Sequence, residues 1–217
     1  MTPRPSGPRS GCVGVLLAAG YSRRMGVTKQ LLPWPPSQTP RGVDRGSTGT
    51  VVEASFDLLS LFCERIIVVL DHEAESIRRA LGGRPFTPLL GDGAAPMFES
   101  VRLGLRAAMG IDADAAVLLH PADHPAVAPS TVQRLLDAAT RRADQAVVPI
   151  YGDRGGHPVL IPPPLCRVIL DYDGDGGLRG LWQSRADACC RLPVDDPTVT
   201  MDIDTRAHYD ALRAFVQ

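Results

Sequence analysis

Apolar residues fall into two patterns along this chain. Residues 13–17, 65–70, 115–119 and 146–149 are short runs, β-branched or leucine-rich, of the kind that form strands buried on both faces of a parallel sheet. Between them, residues 51–61, 73–81, 99–109, 131–142, 178–184 and 207–215 carry apolar side chains at helical spacing. Thr50 with Glu53, and Ser130 with Gln133, have the spacing of capping boxes at two helix starts. Such alternation predicts an α/β fold with right-handed crossovers and a ligand crevice at the carboxyl ends of the strands. Residues 199–203 alternate as a strand would, with Asp202 and Asp204 on one face and Met201 and Ile203 on the other. Residues 12–217 read as one domain, and residues 1–11, rich in Pro and Arg, as a disordered tail. Residues 35–49 hold three prolines and three glycines and read as an inserted loop.

Composition narrows the classes of partner. A chain of 217 residues can bury a full core, and its net charge of −1 leaves no general footprint for nucleic acid or a membrane surface. Any affinity for anions must therefore be local. No apolar run reaches membrane-spanning length. Cys12, Cys63, Cys166, Cys189 and Cys190 form an odd set without zinc spacing, and the adjacent pair is poorly placed for a disulfide, which favours a reduced, cytoplasmic setting. Arg4 and Arg9 ahead of residues 12–19 imitate a short signal peptide. Cleavage after Gly20 would destroy the basic loop that follows, so that segment is expected to be retained.

The local cations sit in that loop. After the strand ending at Leu17, Ala18, Ala19 and Gly20 remove side-chain bulk, and Arg23, Arg24 and Lys29 follow. Exposed backbone amides with guanidinium and ammonium groups suit a polyphosphate at a strand end, although the same residues also describe a basic loop after a core strand. The spacing is neither a P-loop nor a dinucleotide fingerprint, which removes the usual support for an ATPase or a dehydrogenase. Asp123, between Pro121 and Pro125, follows the strand 115–119 and offers the hard oxygen that magnesium takes; a plain turn aspartate fits the spacing as well. His120 and His124 lack partners at zinc spacing and read as ordinary loop histidines. Thr205 is placed to cap the last helix and Asp204 to support its start, leaving Asp202 as the better metal ligand. Asp173 and Asp175 lie among glycines but lack the closing glutamate of a calcium loop. Arg179 falls in a first helical turn, where a phosphate can bind, whereas Arg102 and Arg106 read as a solvated face.

Leu17, Ala18, Ala19, Gly20, Ser22, Arg24, Met25, Gly26, Lys29, Leu31, Leu32 and Pro33 together resemble, in order and spacing, the opening signature of the nucleotidyltransferases that finish molybdenum cofactor. Within that superfamily the chain is most similar to the CTP:molybdopterin cytidylyltransferases, and the likeness recurs at PADHP (121–125), GHPV (156–159), GDGGLR (174–179) and DIDT (202–205). The resemblance implies a Rossmann-like three-layer nucleotidyltransferase fold with a mixed, mostly parallel sheet. It implies nucleotide binding by Leu17, Ala18, Ala19, Gly20, Ser22, Arg24, Lys29, Ser100 and Gly104, with catalytic roles for Arg24, Lys29 and Asp123. Magnesium, or manganese in its place, would lie on Asp123 and Asp202. Gly156, His157, Asp175 and Arg179 would face the acceptor, with His157 either donating to a phosphate or pterin oxygen or serving structure alone. The implied reaction is attack by the terminal phosphate of molybdopterin cofactor on the α-phosphorus of CTP, releasing pyrophosphate, with a molybdenum hydroxylase or its maturation factor as a further partner. Guanylyl-transferring relatives carry glycine where Ala19 stands, which implies a preference for cytosine. Two alternatives remain at this level: a different phosphorylated acceptor such as a sugar phosphate, and a non-catalytic, nucleotide-gated cofactor carrier. The insertion at 35–49 departs from the family pattern, in which the chain passes quickly into the helix.

Overall fold

The computed structural model describes residues 12–20, 22, 24–35, 49–92 and 95–216; the tail 1–11 and most of the inserted loop, residues 36–48, lie outside them. The strands are β1 (Cys12–Leu17), β2 (Pro33–Trp34), β3 (Gly49–Thr50), β4 (Arg65–Leu70), β5 (Thr87–Leu90), β6 (Ala116–Pro121), β7 (Ala146–Tyr151), β8 (Arg154–Gly155), β9 (Val159–Ile161) and β10 (Cys189–Pro193). The helices are α1 (Val51–Ser60), α2 (Ala74–Leu81), α3 (Met97–Ile111), α4 (Pro129–Ala139), α5 (Pro163–Asp171), α6 (Gly177–Ser184) and α7 (Arg206–Val216). Eight strands form one sheet in the order β10-β7-β9-β6-β1-β4-β5, with β8 paired to β7, while β2 and β3 form a separate ladder. The pairs β1–β4, β1–β6, β4–β5 and β7–β10 are parallel, and β9 runs against both neighbours, so the sheet is mixed and mostly parallel, as the resemblance implies.

Alternation along the central strands sorts their side chains onto two faces. Cys12, Leu16, Val68, Leu70 and Leu118 face α1, α2 and α4, which contribute Val52, Phe56, Leu59, Ile77, Leu81, Val132 and Leu135. Val13, Val15, Ile67, Val69 and Leu119 face α3, α5 and α6, which contribute Phe98, Val101, Leu105, Leu165, Ile169 and Leu181. The result is the expected Rossmann-like three-layer fold. Helix α7 stands outside these layers and buries Tyr209 and Leu212 against Trp34, Val51, Ala54 and Ile203. Cys12 and Cys63 bring their sulfurs to 3.2 Å inside the first face. Among the described residues, no helix is long and apolar enough to cross a membrane.

Local differences from the sequence pattern have physical causes. The capping box forms at Thr50 and Glu53, but not at Ser130: Pro129 takes the first position of α4, and Asp196 Oδ2 accepts from Ala128 N at 3.0 Å and Thr131 Oγ1 at 2.8 Å. Residues 199–203 form no strand. They continue a 3-10 turn, Pro197–Thr200, into extended chain. The run Pro162-Pro163-Pro164 reads as a breaker, yet two of these prolines open α5, where their missing N–H groups cost nothing.

Candidate active site

The site forms where three loops meet at the carboxyl ends of β1 and β6. Each loop is pinned to its neighbours through the backbone. Ala18 N donates to Val69 O at 2.8 Å and Ala122 N to Leu17 O at 2.9 Å, while Ile203 N donates to Asp123 O at 3.1 Å. Ser55 of α1 adds a buried hydroxyl bond to Ala122 O at 3.0 Å. After β1 the chain folds back on a residue that the sequence pattern did not single out. Gln30 is buried and its Nε2 donates to the carbonyls of Ala18 and Gly20 at 3.4 and 3.2 Å, while its Oε1 accepts from Ser22 Oγ at 3.2 Å. A polar side chain between Lys29 and the apolar pair Leu31-Leu32 was the available signal. Ser22 sits at a φ of 49°, a left-handed conformation that costs a non-glycine residue energy, and its Oγ accepts from Lys29 N at 3.1 Å. Ala18 is buried, Ala19 is half-buried and Gly20 is exposed, so the loop opens progressively toward solvent.

Lys29 lies at the junction. Its side chain is 11% exposed, and its Nζ donates to Asp123 Oδ2 at 2.6 Å and to Asp204 Oδ1 at 3.2 Å. Arg24, 70% exposed, reaches Asp204 Oδ2 with Nη2 at 2.7 Å. The carboxylates of Asp123, Asp202 and Asp204 each offer an oxygen within 4.8 Å of the others. Asp204 therefore belongs to the cluster, which corrects the expectation that it serves only the helix start. Even without a strand, alternate residues of the extended segment turn oppositely: Ile203 is buried with Trp34 and Tyr209 while Asp202 and Asp204 turn to Asp123. Thr205 caps α7 as expected, accepting from His208 N at 3.2 Å.

The electrostatics follow from this crowding. Burial alone would push the Asp123 carboxyl up, but the hydrogen bond from His124 and the charge of Lys29 outweigh it and hold the group well below the usual carboxylate range. Burial is likewise opposed at Asp204 by Lys29 and Arg24, with a net lowering. Lys29 loses solvent, yet the two carboxylates raise its ammonium above the ordinary lysine value. Asp123 and Asp204 are thus held ionised around an ammonium group. Three hard-oxygen donors within 4.8 Å of one another, two of which already hold an ammonium group, fit a divalent metal of the magnesium or manganese class.

His120 and His124 are not the ordinary loop histidines the spacing suggests. Both are buried, and with His157 they form a row of rings packed edge to face, His120 to His124 at 6.2 Å and His124 to His157 at 5.2 Å between centroids. Burial first, then the neighbouring His124, presses His157 down to about 3 and His120 well below its usual value. His157 is carried by a tight passage: its N–H donates to Val199 O at 2.9 Å, and any side chain on Gly156 would run into that same carbonyl. Gly156 and His157 therefore brace the segment leading to Asp202.

The remaining expected site residues are spread more widely. Ser100, in α3, has its Oγ beside Gly91 at the end of β5. Gly104 faces inward, where a Cβ would lie 2.5 Å from Val15 Cγ1, so it serves close contact between helix and sheet. Asp175 is exposed, its carbonyl accepting from Tyr172 Oη at 2.5 Å, and Arg179 is exposed in the first turn of α6. Arg106 is exposed, but Arg102 is not a solvated residue: it pairs with Glu99 at 2.9 Å, stacks on Phe98 at 5.2 Å, and donates to Tyr172 O, tying α3 to the glycine-rich segment.

A family model described as the MobA-like NTP transferase domain matches residues 14–202, which span the site from Ala18 to Asp202 and end two residues before Asp204. The chain belongs to that family. It is 26% identical over 152 residues to the molybdenum cofactor cytidylyltransferase of Escherichia coli K12, covering 69% of each chain. Among solved structures it is similar to Rv0371c from Mycobacterium tuberculosis H37Rv, with a TM-score of 0.77, 28% identity, and 94% and 98% of the two chains covered. It is also similar to a complex of Rv0371c with manganese, with a TM-score of 0.71, 26% identity, and 94% and 98% covered. The nucleotidyltransferase family and fold inferred from the motifs are those of the chain.

Proposed function

We propose that this protein transfers CMP from CTP to the terminal phosphate of molybdopterin cofactor, releasing pyrophosphate. The observation that carries the reading is the cluster of Asp123, Asp202 and Asp204, two of them paired with Lys29 and Arg24, beside the open loop after β1. Its support from outside the chain is the activity for which the Escherichia coli relative is named and the manganese complex of the Mycobacterium protein. In the reaction an acceptor phosphate oxygen forms a bond to the α-phosphorus of CTP while the bond from that phosphorus to the bridging oxygen of pyrophosphate breaks. No strong base is required, because a phosphate monoester is already anionic at neutral pH. The work of the protein is alignment and charge stabilisation. The backbone of residues 18–26 receives the triphosphate, and Arg24 and Lys29 are the cations available to the departing pyrophosphate. Asp123 and Asp202, with Asp204 beside them, would hold magnesium, which when bound offsets the repulsion between two phosphate groups. Gly156, His157, Asp175 and Arg179 are assigned to the acceptor side.

Pyrophosphate release tests this directly. Release is expected only when CTP, magnesium and molybdopterin cofactor are all present, and it should vanish in Asp123→Asn. Equal release with a sugar phosphate in place of the cofactor would overturn the acceptor assignment.

A further inference from the structure

We infer that His120 and His124 are positioning residues that act in series to orient the carboxylate of Asp123. This deepens the proposed metal-dependent reading and rests on it. His124 Nδ1 lies 3.0 Å from Asp123 Oδ1, while Lys29 takes the other oxygen, Oδ2, at 2.6 Å. A carboxylate held ionised can only accept, so the proton in the first contact belongs to His124 Nδ1. One step further back, His120 Nε2 lies 3.1 Å from the carbonyl oxygen of His124. A carbonyl also only accepts. His120 is fully buried and, among the described residues, its Nδ1 has no hydrogen-bond partner, so its single proton sits on Nε2 and donates to that carbonyl.

The order is therefore His120 Nε2–H to His124 O, His124 Nδ1–H to Asp123 Oδ1, and Asp123 Oδ2 to the cation. Two features keep the series rigid. Pro121 and Pro125 flank Asp123 and His124 in the chain, and the His157 ring closes the far side of His124 at 5.2 Å. An N–H on one carboxylate oxygen fixes the plane of the group and directs the other oxygen toward a cation, and loss of such a supporting bond typically lowers metal affinity by about 10-fold to 100-fold.

The test uses the intact chain and Mn²⁺ as probe, with free Mn²⁺ followed by electron paramagnetic resonance. His124→Leu is expected to weaken binding about tenfold or more. His124→Asn, whose amide N–H falls near the place of Nδ1–H, should stay close to wild type. His120→Leu should weaken binding and His120→Gln should restore it. Wild-type affinity in a folded His124→Leu protein would overturn the inference, whereas absence of Mn²⁺ binding in the wild type would instead defeat the metal reading beneath it. Imidazole ¹⁵N shifts of the wild type give an answer even if a leucine variant does not fold. A proton on Nδ1 of His124 and on Nε2 of His120 at neutral pH is required, and either nitrogen found bare contradicts the series.

Discussion

Asp204 shows how much a single side chain can change the reading of a site. Its neighbours Thr205 and the last helix suggest a helix-start residue, but its two oxygens are taken by Lys29 and Arg24. Asp204→Asn removes the charge that both cations face while leaving the buried Ile203 in place. It is expected to lower turnover at least tenfold, about 1.4 kcal/mol in the barrier, while the protein stays folded with a modestly lower melting temperature. Asp123→Asn and Asp202→Asn should each abolish turnover and keep the fold; a near-normal rate in either would place the metal on different carboxylates. The histidine row predicts an acid sensitivity of definite sign. His157 is held near 3 when folded but titrates at about 6.5 when unfolded, so between those values the unfolded chain carries the extra proton. Stability should fall as pH drops from about 6.5 toward 3, with the depressed carboxyl of Asp123 adding a loss in the same direction at the acid end. Melting temperatures at pH 7.5 and 5.0 check this, with a smaller drop expected in His157→Gln than in wild type. The aspartates were legible because their motifs are local. The row was not, since it depends on residues 120, 124 and 157 meeting in three dimensions.

Among the elements, legibility followed the length and periodicity of each segment. Strands β1, β4, β6 and β7 are marked by short, mainly apolar runs, and six of the seven described helices by apolar spacing. Strand β9 has only three residues and reverses the sheet direction, and helix α5 hides behind its own prolines. Strand β5 is a short edge with mostly unburied residues, so it offers little hydrophobic contrast to read. Gly104 illustrates a motif residue whose physical role lies in packing. Gly104→Ala gains helix propensity but forces a methyl against Val15 in a filled core, and overpacking of this kind costs about 1–3 kcal/mol. Thermal unfolding should register a drop of roughly 2–4 °C for each kcal/mol lost. An unchanged or higher melting temperature would show that α3 can shift away from β1 without cost.

At the scale of the molecule, three loops far apart in sequence converge because the sheet places β1 and β6 side by side and α7 closes over α1. Overall charge is close to neutral, so the proposed binding of a triphosphate must draw on Arg24, Lys29 and the exposed backbone at Gly20. The fold and family were readable from the opening signature and its downstream echoes, while the proposed preference for cytosine rests on the Ala19 methyl group at the rim of that loop. A Cβ that fits beside a pyrimidine would crowd a purine, at a cost of about 1–3 kcal/mol, or roughly one to two decades in affinity. The most direct measurement supplies all four nucleoside triphosphates at equal concentration with magnesium and molybdopterin cofactor, and identifies the dinucleotide product by mass. The account predicts the cytosine dinucleotide in clear excess; a guanine or adenine product, or no dinucleotide at all, would contradict it.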